Sequence, residues 1–265
     1  SETLAPWWRA DRSRLLKLAA SYSPRYVYHL PTVRRQAQSL QRLDAVDRWL
    51  YALKANHHPA ILRDLSHLGF DLECVSINEV EHALSVLPDH DPARILFTPN
   101  FADLSEYERG FAAGVRVTID NLELLKAAPE LFRNRLVWIR VDLGAAFGHH
   151  DKVKTAGEHS KFGVVVSDLP ALRLEALALG LKIVGLHSHF GSGTTDVSAW
   201  KRAYAELASL AADFPQVEWL DIGGGLGVSY QADDVPLDLV QLNAALKSVK
   251  ALYPQYRLAL EPGRF

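Results

Sequence analysis

Lys54 closes the apolar run WLYALKA, residues 49–55, just ahead of the polar turn NHHP. An ammonium group placed there loses hydration, so it either shifts its pKa or finds a partner. Lysines that give up their proton in this way are the ones that condense with aldehydes. A lysine that only caps a strand and reaches back to water is the alternative reading, and other residues must decide. Glu73 and Ser76 end a second apolar run, Asn100 follows a third, Asp120 a fourth and Asp142 a fifth. His187 and His189 end a sixth, Gly223, Gly224 and Gly225 a seventh, and Glu261 an eighth. Taken singly, a strand-end histidine can be a turn donor, and carboxylates such as Asp120 and Asp142 can be helix N-caps.

The run LDIGGGLG is harder to explain as a turn alone. Three glycines after a strand leave backbone N–H groups unshielded, so the loop can approach a phosphate. It is not a dinucleotide fingerprint, because the polar loop VSYQADDVP displaces the helix that would have to follow at once. HFGSGTTD offers a second anion cradle through Gly191, Ser192 and Gly193, and Arg264 supplies a cation. A lysine, a two-loop phosphate site and a strand-end acid together suggest pyridoxal 5'-phosphate, which needs an amine for its aldehyde and an acidic partner for its ring nitrogen. Glu261 can be that partner, keeping the pyridine protonated. No metal is expected at the site.

These residues need elements that bring them to one place. The runs LYALKA, FDLECVS, ILFTP, VRVTID, LVWIRVD, KIVGLHSHF, VEWLDIG and YRLALEP read as strands. Segments with helical spacing lie between them: PAILRDLSHLG, INEVEHALSVL, DLSEYERGFAAG, NLELLKAAPELF, DLPALRLEALALG and VSAWKRAYAELASLAADF. Alternation of this kind predicts a (β/α)8 barrel over residues 31–265, with catalytic groups at the C-terminal strand ends. An open doubly wound sheet is the alternative. RYVYHL, residues 25–30, reads as an extra strand ahead of the barrel, and no helix follows the eighth run. Residues 1–30 are therefore expected to pair with a C-terminal β domain that lies beyond Phe265.

The totals narrow the partners. With 29 basic and 31 acidic residues well mixed and a net charge of −2, the chain has no broad electrostatic footprint for nucleic acid or an anionic membrane. A small-molecule partner is expected. The single cysteine, Cys74, excludes an internal disulfide, and nothing reads as a signal core or a spanning helix, so a cytoplasmic protein is expected.

YALKAN, the E-C-V-S-x-x-E segment at 73–79, SKFG at 160–163, GLHSHFGSG at 185–193, DIGGGLG at 221–227 and EPGRF at 261–265 resemble the fold-type III pyridoxal-phosphate decarboxylases. The resemblance runs from about residue 25 to the end and is nearest to the diaminopimelate-decarboxylating members. It implies an alanine racemase-like (β/α)8 barrel of the α/β class with a C-terminal β domain. It further implies that Lys54 condenses with the cofactor, that His189 stacks on its ring, and that Glu261 meets the pyridine nitrogen. Gly191, Ser192, Gly223, Gly224, Gly225 and Arg264 would surround the phosphate. Glu73 stands where the family has an aspartate near the ring. The implied reaction is decarboxylation of meso-diaminopimelate to L-lysine in a homodimer with shared sites, the β domain adding a cysteine and a tyrosine. The opening ETLAPWWRADRSRLLKLA is similar to decarboxylase halves fused behind an aspartokinase. Ornithine or arginine decarboxylation, a cofactor carrier without turnover, and a Schiff-base aldolase are the rival readings.

Overall fold

Alternation along each apolar run decides which side chains face which layer. A computed structural model describes residues 6–144, 162–231 and 234–265. The eight runs form β1 Arg48–Ala52, β2 Asp71–Cys74, β3 Ile95–Phe97, β4 Arg116–Ile119, β5 Leu136–Asp142, β6 Lys182–His187, β7 Trp219–Asp221 and β8 Arg257–Leu260. Each pairs in parallel with the next, and β8 returns to β1 through Arg48 with Ala259 and Trp49 with Leu260. The sheet is therefore a closed barrel, which excludes the open doubly wound alternative. A two-residue strand, Val164–Val165, lies beside the end of β5.

Outward residues such as Trp49, Tyr51, Leu72, Phe97, Ile139, Leu220 and Leu258 belong to the main core shared with the helices. Inward residues Leu50, Leu96, Trp138, Trp219 and Ala259 make a separate apolar layer across the barrel. Gly185 leaves room there, because a Cβ on it would intrude on the Trp138 indole. Each large apolar side chain sealed in these layers contributes about 2 kcal/mol. Inward positions above that layer are polar: Glu73, Thr98, Thr118, Asp221 and Glu261 are all buried.

The expected helices form at Pro59–His67, Ile77–Val86, Leu104–Ala113, Leu169–Ala178 and Val197–Ala211. NLELLKAAPELF divides into Leu122–Ala127 and Pro129–Phe132, because a proline inside a helix lacks the N–H and clashes with the preceding turn. Pro59 stands in the first turn of its helix, with the His58 side chain accepting from the Ala60 N–H, as a helix start requires. Leu239–Leu252 adds a helix to the expected set; Asp238 caps it, and it buries Leu242, Leu246 and Val249.

Among the described residues of this chain the N-terminal run finds no strand partner. RYVYHL does not form a strand: residues 25–29 have no regular structure, Tyr26, Val27 and Tyr28 are exposed, and Leu30 already opens the helix Leu30–Leu40. A strand needs a free edge to satisfy its backbone groups, and a closed barrel offers none. Leu30–Leu40 packs beside Pro59–His67 through the Arg34–Asp64 ion pair at 2.8 Å. The turn after it is fastened to Leu239–Leu252 by Asn243 to the Ala45 N–H and Asp44, and by Lys250 to Asp47. The helical ring is thus completed by a helix that precedes β1.

Candidate active site

The backbone ladder of the barrel continues past the strand ends and ties four loops together. Ser188 N–H donates to the Asp221 carbonyl, Thr194 N–H to Gly225, Glu261 N–H to Gly223, and Ala52 N–H to Pro262. The glycine run lies at the centre of this seam. A Cβ on Gly224 would collide with the Glu261 carbonyl, and one on Gly225, whose φ is +92°, with the Gly191 carbonyl. A Cβ on Gly223, at φ +75°, would lie 2.7 Å from His189 Nδ1. Only glycine lets the ends of β6, β7 and β8 approach this closely, and the left-handed φ values add a second reason at Gly223 and Gly225. The glycines are therefore demanded by contact between loops as well as by openness toward a ligand.

Lys54 sits in a single 3-10 turn, Leu53–Ala55, directly after β1. Its side chain is half exposed, and Nζ donates to Glu73 Oε2 at 2.8 Å. Burial works against the ammonium, but the Glu73 and Glu261 carboxylates outweigh it and raise the pKa. Burial alone favours a neutral amine, but the neighbouring carboxylates shift Lys54 toward its charged form. Glu73 itself is 1% exposed, and burial together with the Glu261 charge pushes it up to about 7. The Thr98 hydroxyl donates to its other oxygen.

Glu261, at the end of β8, is buried, and its Oε1, 3.3 Å from His187 Nε2, makes no hydrogen bond among the described residues. His187 Nε2 lies 3.4 Å from Oε2. Burial pushes Glu261 up, yet His187, Lys54 and His189 outweigh it and hold the carboxyl below its usual range. His189 Nδ1 accepts the Gly224 N–H at 3.3 Å, so the neutral ring carries its proton on Nε2. Burial takes its pKa down to about 4.

These groups open on a cavity of about 850 Å³ lined by Lys54, His189, Ser192, Gly224, Gly225, Glu261 and Arg264, among others. Gly191 and Gly223 back the wall, and Glu73 lies behind Lys54. Arg264 donates to the Tyr230 hydroxyl at 2.8 Å, a partner that sequence reasoning missed. It also missed Arg140, an inward residue of β5 that donates to Asn100 Oδ1 at 2.5 Å. Alternation in LVWIRVD puts Arg140 on the same face as Trp138 and Asp142, which was the available signal.

Other strand-end candidates prove structural. Ser76 caps Ile77–Val86, accepting the Glu79 N–H while Glu79 accepts the Val75 N–H at 2.7 Å, a reciprocal cap. Asp120 accepts from the Tyr107 hydroxyl and the Phe101 N–H, and Asp142 accepts the Gly144 N–H. Ser160 and Lys161 of SKFG lie outside the described residues.

The family described as "Pyridoxal-dependent decarboxylase, pyridoxal binding domain" matches residues 30–265. The chain belongs to that family. Diaminopimelate decarboxylase of Methanothermobacter thermautotrophicus is 33% identical over 94% of this pyridoxal-binding domain and 62% of its own length. That of Escherichia coli K12 is 32% identical over 95% and 61%. The domain thus spans about three fifths of these relatives. Diaminopimelate decarboxylase from Helicobacter pylori, solved with L-lysine, superposes with a TM-score of 0.83 at 25% identity, over 94% of this chain and 66% of that one. The arginine decarboxylase of Paramecium bursaria Chlorella virus, 21% identical with a TM-score of 0.80, shares the fold.

Pyridoxal phosphate, the family's cofactor, fits the residues present. The buried Glu261 Oε1, which makes no hydrogen bond among the described residues, can accept an N–H. Among the described residues, the N–H groups of Gly191, Ser192 and Gly193 make no hydrogen bond to the chain and stand free for an anion.

Proposed function

We propose that this domain is the cofactor-binding barrel of a decarboxylase that converts meso-diaminopimelate to L-lysine. One observation carries the reading: Lys54 and Glu261, from the adjacent strands β1 and β8, face one cavity beside the glycine seam. The substrate assignment is supported by the diaminopimelate decarboxylases among its relatives.

Pyridoxal phosphate supplies an electrophilic aldehyde and an electron-accepting ring. Lys54 Nζ is the amine that meets the aldehyde, and Glu73 Oε2, 2.8 Å away, is positioned to take its proton. Glu261, which lines the cavity, would present a carboxylate to the pyridine nitrogen and so hold a proton there. His189, neutral and fixed by the Gly224 N–H, offers a flat face to the ring. The Ser192 hydroxyl, the N–H groups of Gly191, Ser192, Gly193 and Gly225, and Arg264 would hold the phosphate, while Gly223 and Gly224, whose N–H groups donate to Asp221 and His189, shape the loop. Glu73 would hold Lys54 Nζ whenever that amine is not joined to the cofactor.

The same reading places the chain in a two-domain subunit of a cytoplasmic homodimer. Residues 1–30 would dock on the C-terminal β domain, a role supported by the exposed Tyr26, Val27 and Tyr28. The test is carbon dioxide release by the full-length protein from meso-diaminopimelate, ornithine, arginine and lysine. Diaminopimelate is expected to lead by about a hundredfold or more, since a polar site rejects an analogue that leaves its groups unpaired. Preference for another amino acid would overturn the substrate and leave the barrel's role intact.

A further inference from the structure

At the cavity floor His187, Asp221 and Glu261 lie buried together, and Glu261 borders the cavity. Their exposures are 2%, 0% and 3%, and one ligand atom of each lies within 4.8 Å of the others. Asp221 Oδ1 accepts the Gly223 N–H at 2.8 Å. Among the described residues its Oδ2 makes no hydrogen bond, and neither do His187 Nδ1 and Glu261 Oε1. The charged and titratable groups facing these three from other elements are Lys54 after β1, Glu73 on β2, Arg140 on β5 and His189 after β6.

Two carboxylates this close and this buried cannot both carry charge; one keeps a proton that both use. His187 neighbours both carboxyls, but among the described residues its Nε2 comes within 3.3 Å only of Glu261, and Asp221 makes no ion pair. We propose that Asp221 is held as the neutral acid and donates its proton to the Glu261 carboxylate, so that Asp221 and His187 act as positioning residues for Glu261. Burial, then the charge of Glu261, raises the Asp221 carboxyl well above its ordinary value, in the same sense as the geometry. Asp221 then joins the two halves of the site: one oxygen fixes the glycine loop through Gly223, and the other fixes the acid that meets the cofactor ring. The inference rests on the proposed role of Glu261. The same three side chains could instead ligate a cation, which would require Asp221 to be ionised, so a metal site is the competing outcome.

Asparagine separates these cases, because its oxygen can accept from Gly223 while its NH2 group donates to Glu261. In the full-length cofactor-free protein labelled with [13C]carboxyl aspartate, one aspartate resonance is expected to stay protonated above pH 7 and to vanish in Asp221→Asn. Asp221→Asn is expected to bind pyridoxal phosphate within about threefold of wild type and Asp221→Ala at least about tenfold more weakly, one charge-assisted hydrogen bond being lost. Should Asp221→Ala fail to fold, the resonance and Asp221→Asn still decide. The proposal is overturned if no aspartate is protonated at neutral pH, if Asp221→Asn binds as weakly as Asp221→Ala, or if Zn2+ or Mn2+ raises the Tm of wild type but not of Asp221→Asn. If wild type binds no pyridoxal phosphate, the proposed function falls, while the resonance still reports where the proton sits.

Discussion

The barrel carries buried charge at both ends, and the two ends treat it differently. At the N-terminal end Asp71 is flanked by Arg48 at 3.0 Å and Arg94 at 2.5 Å, while Arg48 and Arg257 approach the Trp219 ring at 4.4 and 5.4 Å. One carboxylate meets more than enough cation, and the arginine side chains, 22% and 38% exposed, keep contact with water. At the C-terminal end Glu73, Asp221 and Glu261 crowd together, all at most 3% exposed, with Lys54 and Arg140 as the cations that face them and two histidines whose pKa burial lowers. The apolar layer of Leu50, Leu96, Trp138, Trp219 and Ala259 separates the two. Both ends keep buried atoms that make no hydrogen bond among the described residues, Arg48 Nη1 and Asp71 Oδ2 below, Asp221 Oδ2 and Glu261 Oε1 above. Only the upper group borders the cavity, through Glu261, where a ligand can complete it.

The sharpest way to break this contrast is Lys54→Ala. If the upper end exists to hold a reactive amine, turnover falls by about a thousandfold or more, borohydride no longer fixes the cofactor to the chain, and the Tm stays near that of wild type. Cofactor trapped on another lysine would remove the assignment.

The lower end should respond in the opposite way. Asp71→Asn leaves Arg48 and Arg94 without their carboxylate, and breaking a buried pair costs about 3–5 kcal/mol. Partial exposure of both arginines reduces that to about 2 kcal/mol, measured as a lower urea midpoint. Affinity for pyridoxal phosphate should not change. A parallel loss of affinity would show that the two ends are coupled through the apolar layer.

The same contrast explains what could be read from the chain itself. Strand-end clustering was legible, since short apolar runs fix the strands and closure of a barrel puts their ends together. What escaped depends on closure in detail. Glu73 becomes the partner of Lys54 only because β1 and β2 align Ala52 with Glu73, and register is not written in either run alone. Asp221 was passed over for the glycines beside it, although alternation along EWLDIG places it inward with Trp219. RYVYHL has β-prone composition, but a strand also needs an edge, and composition does not show where edges are. Leu239–Leu252 had both its Asp238 cap and its apolar spacing in view, and only the long polar loop before it obscured the start.

The smallest expected effect probes the pair of Lys54 and Glu73. Glu73 has its folded pKa raised from the ordinary carboxyl value to about 7 by burial and by Glu261. A group raised in this way binds its proton more tightly in the folded chain, so its contribution is fully present below the unfolded pKa of about 4.3 and is lost as the pH rises through about 7. His187 and His189, both lowered by burial, slope the other way: their contribution is present above the unfolded pKa of about 6.5 and is lost as the pH falls from there through the folded value, about 4 for His189. The wild-type curve alone therefore mixes signs. The difference between wild type and Glu73→Gln isolates the carboxyl, and between about pH 4.3 and 7 that difference should fall steadily as wild type loses the advantage of one extra bound proton. Urea unfolding of both proteins across that range measures it. A flat difference would mean that Lys54 keeps Glu73 ionised throughout, making this pair a settled ion bridge like those at the lower end and confining the unresolved charge to Asp221 and Glu261.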